Sequence, residues 1–399
     1  MDRPEHGAWR PWIGVAALWL LVAAVNCFYV APSGILPVIM SELSVGPAAA
    51  SALVSVMFGA QVIVGVPAGL AADRFDRRLG LAGATVFAVI TFSASWLAAA
   101  AGSFWWLLAG RGVATAAIAA IFTGSVGVTG ELVPPDQRGT AVGIITGAPM
   151  AGFALGLTTA PIVAEWMGWA AVFGVYTVPA VAACLVFLVV TRNLKIDTAD
   201  LPTPALPDVG ALLSIRSIWI IAVTIFLAYS IFAFVTTWVP TYLAEVHGMT
   251  LAAGGLLAAT FPAVGAVARG SSGYVSDRLF RRRRRPVALL AFLVTAPSLA
   301  ALFGADALPV MGLSLVLAGV FVQLGQGLFF VLARELAPPN VAATAVGFTT
   351  SVGTLGGFVA PLAGGVLVEH GGYSAAFGAA VVFAVIGVAV SWFTPEPAD

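Results

Sequence analysis

Two arginines lie in stretches of sequence that are otherwise almost wholly apolar, where charge is expensive enough to mark a candidate for function. Arg111 falls eight residues beyond Ser103, about 12 Å into a helix rising ~1.5 Å per residue. Arg269 opens the segment Arg269-Gly-Ser-Ser-Gly273-Tyr-Val-Ser-Asp277. A guanidinium presents a planar fork of N–H donors that grips a carboxylate or another oxyanion through paired hydrogen bonds. No Asp, Glu or His sits comparably deep: Glu131 and Glu335 fall at helix ends, and His6, His247 and His370 are terminal or outside the apolar stretches. A cavity whose fixed charges are two cations disfavours cations and suits anions. Each arginine also has a plainer reading, Arg111 bonded to backbone carbonyls and Arg269 reaching along its aliphatic stem to an interface. Polar residues spaced three and seven apart share helical faces and add weaker candidates: Asn26, Tyr29 and Ser33, then Tyr229 and Thr236, then Gln323 and Gln326. Any of these can serve ordinary interhelical hydrogen bonding instead.

Other chemistry finds little support. There is no phosphate-binding glycine loop, metal-ligand cluster or nucleophile–base pairing, so neither an enzyme nor a metal or organic cofactor is expected. Cys27 and Cys184 fall inside apolar helices, where thiols act as small buried side chains, and no disulfide framework is implied.

The elements that must position these residues follow from composition. Hydrophobic residues make up 60% of the 399 and charged residues 9%, with mean hydropathy +1.02, well beyond what a soluble globular chain carries. Crossing a bilayer core takes roughly 20 apolar residues per helix. Twelve such stretches begin near Trp12, Ala48, Leu81, Phe104, Gly139, Trp169, Ile218, Thr250, Val287, Leu308, Val341 and Tyr373. The expected fold is therefore an all-α membrane protein of twelve transmembrane helices. Its first apolar stretch is too long for a signal-peptide core and reads as a retained helix. Eighteen Lys and Arg balance eighteen Asp and Glu, and no nucleic-acid partner is expected.

The distribution of charge says more than its total. With the N-terminus inside, the outer loops hold Glu42, Glu165, Glu245, Asp306 and Glu369 and no Lys or Arg. The inner loops hold Arg74, Arg77, Arg78, Arg138, Arg192, Lys195, Arg216, Arg278 and the run Arg281 to Arg285. That asymmetry predicts a multi-pass cell-membrane protein with both termini cytoplasmic. The arginine run reads as an anchor at an anionic leaflet. Trp96, Trp105, Trp106, Trp166 and Trp238 fall near predicted outer ends and Trp12, Trp219 and Trp392 near inner ends, as interfacial belts would have them.

An internal repeat runs through the chain. Gly69-Leu-Ala-Ala-Asp73-Arg74 returns as Gly273-Tyr-Val-Ser-Asp277-Arg278, an offset of 204, and Glu131-Leu-Val-Pro-Pro135 returns as Glu335-Leu-Ala-Pro-Pro339 at the same offset. The register extends ungapped to Phe173-Gly174 against Phe377-Gly378. The chain therefore divides into a six-helix bundle at 1–192, a proline-bearing cytoplasmic linker at 193–214 and a second six-helix bundle at 215–399. Duplicated halves place a substrate site near the midplane, where they meet. Each copy carries acid, base and acid at its cytoplasmic ends: Asp73, Arg77 and Glu131, then Asp277, Arg281 and Glu335. These sets are candidates for an inner gate. Glycine pairs four apart, Gly65/Gly69, Gly143/Gly147, Gly152/Gly156 and Gly353/Gly357, allow close helix approach in lipid.

The segment from Gly69 to Arg78 resembles the loop signature of the major facilitator superfamily, Gly, three residues, Asp-Arg, then Gly-Arg-Arg; Asp76 stands where that signature has Gly, and Phe280 does so in the second copy. The Pro-Pro-Asp-Gln-Arg138-Gly loop and the Trp166-Met-Gly-Trp169 to Phe173 turn are also similar to that superfamily, so the resemblance covers the whole chain. It implies secondary transport by alternating access. It also implies that the loop Asp73 lies against the opposite half near Ala343. Arg269 to Asp277 resembles an eighth-helix pattern of oxalate/formate, monocarboxylate and nitrate/nitrite carriers, in which the Arg binds the anion. Arg111 resembles the fourth-helix Arg of another superfamily motif.

The expected function is transport of a small solute, an organic or inorganic anion, across the cell membrane. The expected partners are that small-molecule substrate, the lipid bilayer and a coupling ion or counter-substrate, with the protein a monomer. An exporter of drugs or neutral metabolites on the same fold is the alternative, followed by a non-transporting receptor on a carrier scaffold.

Overall fold

In a computed structural model of the chain, the described residues are 9–74, 77–192, 210, 212–281, 283–338 and 341–396, without the side chains of 66–74 and 343. No strand occurs among them. In hydrocarbon every backbone N–H and C=O must be paired within its own segment, and a helix does this. The long helices are α1 (Arg10–Gly34), α3 (Pro47–Arg74), α4 (Arg77–Ala100), α5 (Phe104–Leu132), α6 (Arg138–Met167), α7 (Thr177–Thr191), α8 (Arg216–Glu245), α9 (Leu251–Leu279), α10 (Arg285–Gly304), α11 (Leu308–Leu336) and α12 (Ala342–Ser391). A short α2 (Leu36–Leu43) extends α1 after a bend at Ile35. A 3₁₀ turn (Trp169–Phe173) leads into α7.

Among the described residues, eleven helical segments are long and apolar enough to cross a membrane. The last is two crossings: α12 has 50 residues and breaks at Gly372, whose φ of 69° is left-handed, a conformation that glycine adopts without a Cβ penalty. The twelve-span expectation is met. The break also belongs to the repeat, because Gly168, 204 residues earlier, turns the chain after α6 with φ 84°.

The same offset governs helix starts. The first residues of α3, α5 and α6 precede those of α9, α11 and α12 by 251 − 47, 308 − 104 and 342 − 138, each 204. The start of α10 departs from it, at 285 − 77 = 208. There the loop absorbs the arginine run, and Pro286 sets the new helix start, since proline suits a first turn, where its missing N–H costs nothing.

Within the first half, a methyl on Gly152 or Gly156 would collide with the Ala23 carbonyl or with Val30 of α1. This is the packing expected of small residues where lipid offers no hydrophobic drive. Between the halves, α3 packs on the first limb of α12, α6 on α9, and α1 on α8. These contacts are tight toward the ends where the outer loops lie. A methyl on Gly255 would strike the Leu157 carbonyl of α6, and one on Gly365 would come within 2.7 Å of Ala48 Cα. Gly357 and Gly59 abut Phe58 and Phe358 across the same interface. Toward the other end the contacts slacken. A methyl on Gly147 would stand 3.4 Å from the Ala266 carbonyl, and one on Gly65, Gly143 or Gly347 meets no described atom within 4 Å. Among the described atoms, the halves are in close contact at the outer-loop end and packed more loosely at the inner-loop end.

Seven of the eight belt tryptophans are exposed or partly exposed; Trp238 is not. It is fully buried and donates its indole N–H to the Pro361 carbonyl at 3.0 Å. The expectation that it joins an interfacial belt is corrected: it packs α8 against α12, with its one donor satisfied as a buried indole requires.

Candidate functional site

The two in-span arginines have opposite surroundings. Arg111, on α5, is fully buried. Its Nε donates to the Leu53 carbonyl of α3 at 2.6 Å, and its two terminal nitrogens donate to the Phe28 carbonyl at 3.1 Å and the Tyr29 carbonyl at 2.7 Å, both on α1. Met57 Sδ receives a further contact at 2.8 Å, and the rings of Phe28 and Phe173 lie 4.9 and 5.6 Å from the guanidinium carbon. Sequence explains one of these acceptors. Pro32 sits inside α1 and has no N–H to give the Phe28 carbonyl four residues before it. Arg111 takes that place, binding three helices of the first half together.

Arg269, on α9, is only half-buried. Its terminal nitrogen donates to Tyr229 Oη on α8 at 3.2 Å, and the Phe330 ring of α11 lies 5.1 Å from its guanidinium carbon. It makes no ion pair with a described carboxylate. The described acids of the helices, Glu42, Glu131, Glu165, Glu245, Asp277, Glu335 and Glu369, all lie near helix ends or the Gly372 break. A guanidinium held by one neutral hydroxyl and one ring keeps donors for a ligand.

Around it α9 packs on α11 closely: a methyl on Gly327 would collide with Ser272, and with the Arg269 carbonyl only 2.5 Å away. One turn further along the same contact, Gly265 abuts Gln323. Gln323 is buried and reaches across the halves, its Nε2 at 3.0 Å from Met150 Sδ on α6. Gln326 is buried beside it, and neither end of its amide has a protein partner; Gln323 Oε1 also lacks one. From the first half, buried Tyr29 faces Phe58 and Phe153 with ring centroids at 5.0 and 5.5 Å, and its hydroxyl is unpartnered. Phe153 meets Phe232 of α8 at 5.3 Å, and Phe232 stacks on Phe261 of α9 at 5.9 Å. The aromatic rings therefore bridge the halves near Gln323 and Met150.

The structure thus brings Arg269, Tyr229 and Gln323 to one contact region of α8, α9 and α11, with Gln326 three residues along the same helix from Gln323 and Tyr29 across the aromatic bridge. The remaining candidates serve their own helices or stand apart. Asn26 donates to the Val22 carbonyl at 2.8 Å and Thr236 to the Phe232 carbonyl at 2.8 Å. Ser33 is buried with an unpartnered hydroxyl. Met150 and Phe330 had no signal in the sequence, because an apolar residue in an apolar helix marks neither a face nor a partner.

At the inner ends, Arg77 pairs with Glu131. In the second half the expected base is displaced. Arg281 is exposed, with a left-handed φ of 52°, and makes no ion pair with a described residue. Arg284 instead donates to Asp277 at 2.8 Å, to Glu335 at 2.7 Å and to Ser276 at 2.8 Å. The later start of α10 explains the correction: Arg284 stands just before that helix as Arg77 opens α4. Burial works against the Arg284 charge, but Glu335 and Asp277 outweigh it and its pKa is raised. Each described ion pair joins residues of the same half, one pair in the first and two in the second. Asp73, and with it the expected approach to Ala343, lies outside the described side chains.

Twelve spans, related by the 204-residue repeat and packed closely across the two halves at one end, have the build of a membrane carrier. The Major Facilitator Superfamily model matches residues 18–361, and the chain belongs to that family. It is similar to the probable nitrate/nitrite transporter NarK2 of Mycobacterium tuberculosis (strain ATCC 25618 / H37Rv), with 24% identity over 88% of this chain and 86% of that one. It is 26% identical to the hexuronate transporter of Escherichia coli (strain K12), over 89% and 87% of the two chains. The nitrite extrusion protein of Bacillus subtilis (strain 168) is 28% identical over 77% and 76%. Among solved structures, a bacterial homolog to the human lysosomal transporter Spinster superposes with a TM-score of 0.81 at 18% identity, over 99% of this chain and 98% of that one. That likeness is one of fold. The protein is a secondary transporter, not an enzyme.

Proposed function

We propose that the chain carries a small anion across the cell membrane and that Arg269 holds the anion between the halves. One observation carries this reading: Arg269 is a half-buried cation in an acid-free part of the helices, with a single neutral hydrogen-bond partner. Uncompensated charge there is costly, and a bound oxyanion offsets it with paired charge-assisted hydrogen bonds. The nitrate, nitrite and hexuronate named for the relatives are all anions, which supports the same class. Tyr229, Gln323, Gln326 and Tyr29 complete the site. Arg111, whose donors go to carbonyls, holds the first half together instead.

The units of motion are 1–192 and 215–399, with the Arg77–Glu131 and Arg284–Asp277–Glu335 clusters closing the inner end when the halves rock. Both termini and the 193–214 linker are cytoplasmic, in keeping with the arginine-free outer loops. A coupling proton would have to travel with the substrate or give way to exchange, since no described acid sits deep in a helix. The test is a thermal-shift and uptake screen of carboxylates, nitrate, sugars and lipophilic cations on the purified protein. Anions that stabilise wild type and fail to stabilise Arg269→Gln are the expected result; stabilisation by cations alone overturns the reading. For topology, cysteines placed at Asp200 and Glu165 should label from opposite sides in intact cells, the native Cys27 and Cys184 being buried.

A further inference from the structure

The unpaired atoms beside Arg269 differ in kind from the arginine, and the difference narrows the substrate. Gln326 is 1% exposed, and its amide oxygen and nitrogen both lack a protein partner; the Gln323 oxygen, 0% exposed, lacks one too. Leaving buried polar atoms unpaired is a cost that folded proteins ordinarily avoid. Gln323, Gln326 and Phe330 are spaced three and four residues apart and so share one face of α11. That face is fixed at both ends: Phe330 lies against the Arg269 guanidinium, and Gln323 lies against Gly265 and Met150. The two amides therefore flank the anion contact and continue it toward the other half.

Two of the three orphan atoms are acceptors. Nitrate and nitrite carry no hydrogen to give them, and neither does the carboxylate of a simple fatty acid. An ammonium could give one, but no described acid lies deep in the helices to balance its charge. A hydroxyl donates to one amide oxygen while accepting from an amide N–H, and it adds no charge. Among the described residues, Arg269 is the in-span arginine that keeps most of its donors, which matches a single carboxylate. We propose that the substrate is a hydroxylated monocarboxylate, its carboxylate on Arg269 and its hydroxyls on Gln326 and Gln323. This rests on the reading of Arg269 as the anion contact.

The test uses the full chain and four probes: D-gluconate, D-glucuronate, hexanoate and nitrate, with binding followed by calorimetry. Wild type should bind gluconate or glucuronate at least about 10-fold more tightly than hexanoate, as a site built to pair hydroxyls rejects an analogue without them. Gln326→Leu should erase the preference for the hydroxylated acids over hexanoate, the ratio of the two affinities falling to about 1. The variant loses an unsatisfied amide, so it should melt no lower than wild type, and Gln326→Met serves if it does. Equal binding of gluconate and hexanoate by wild type, tighter binding of nitrate than of either, or undiminished gluconate binding by Gln326→Leu overturns the substrate class. The anion reading is judged separately: it stands if Arg269→Gln weakens whatever anion binding is found by about 10-fold or more, and it falls if that variant binds normally or if no probe binds at all.

Discussion

Arg111 and Arg269 are the same residue at comparable depth in the two halves of a duplicated fold, and they do different work. Arg111 meets three carbonyls from two neighbouring helices, one of them left without its usual donor by Pro32. Arg269 meets one hydroxyl and the face of a ring. A buried guanidinium is neutral in its usefulness until its surroundings are known. Where carbonyls take most of its donors it braces helices; where they do not, its donors stay open.

The largest expected effect tests the ligand side of that contrast. Arg269→Gln should lower anion affinity by about 10- to 100-fold, the loss of one or two charge-assisted hydrogen bonds, with the melting temperature little changed. Arg111→Leu should do the reverse. It strands the Phe28 carbonyl and loosens α1 against α3, a cost of about 2 kcal/mol or more, read as a lower denaturation midpoint, while affinity per folded molecule stays at the wild-type level. If Arg111→Leu keeps its stability and loses binding, the two roles have been assigned the wrong way round.

A smaller effect separates the close and loose ends of the interface. Gly255→Val puts side-chain atoms into the Leu157 carbonyl and should drive the outer ends apart, whereas Gly347→Val enters open space. Spin labels at Ser44 and Val246 should report a longer distance in the first variant and the wild-type distance in the second. The smallest expected effect concerns the inner clusters. Glu396 accepts from the backbone N–H groups of Arg284 and Arg285 at 2.7 and 3.0 Å, capping α10 where it enters the arginine cluster. Glu396→Gln keeps an acceptor but loses the charge at the helix start, so about 0.5–1 kcal/mol of stability should be lost, sensitive to salt.

Much of the scaffold was legible in the chain. Runs of apolar residues name spans because hydrocarbon admits a helix and little else, and the repeat at 204 paired both glutamates of the inner clusters and carried its register on to Phe173 and Phe377. Residues whose role depends on who faces them were not legible. Arg281 was the base expected by offset, yet the loop before α10 gives that place to Arg284, since a helix start responds to Pro286 rather than to the register of a distant copy. Trp238 falls near a predicted outer end, as a belt residue would, and instead packs α12.

The sequence by itself determined that this is a twelve-span membrane carrier of two duplicated halves with two deep cations and no deep acids, because hydropathy, charge and repetition are properties of the chain read in order. Only the tertiary structure decided which cation is spent on carbonyls and which keeps most of its donors unpaired among the described residues, and which amides end up buried without partners. Hydrogen-bond satisfaction is counted between helices far apart in sequence, and no spacing along one helix records it.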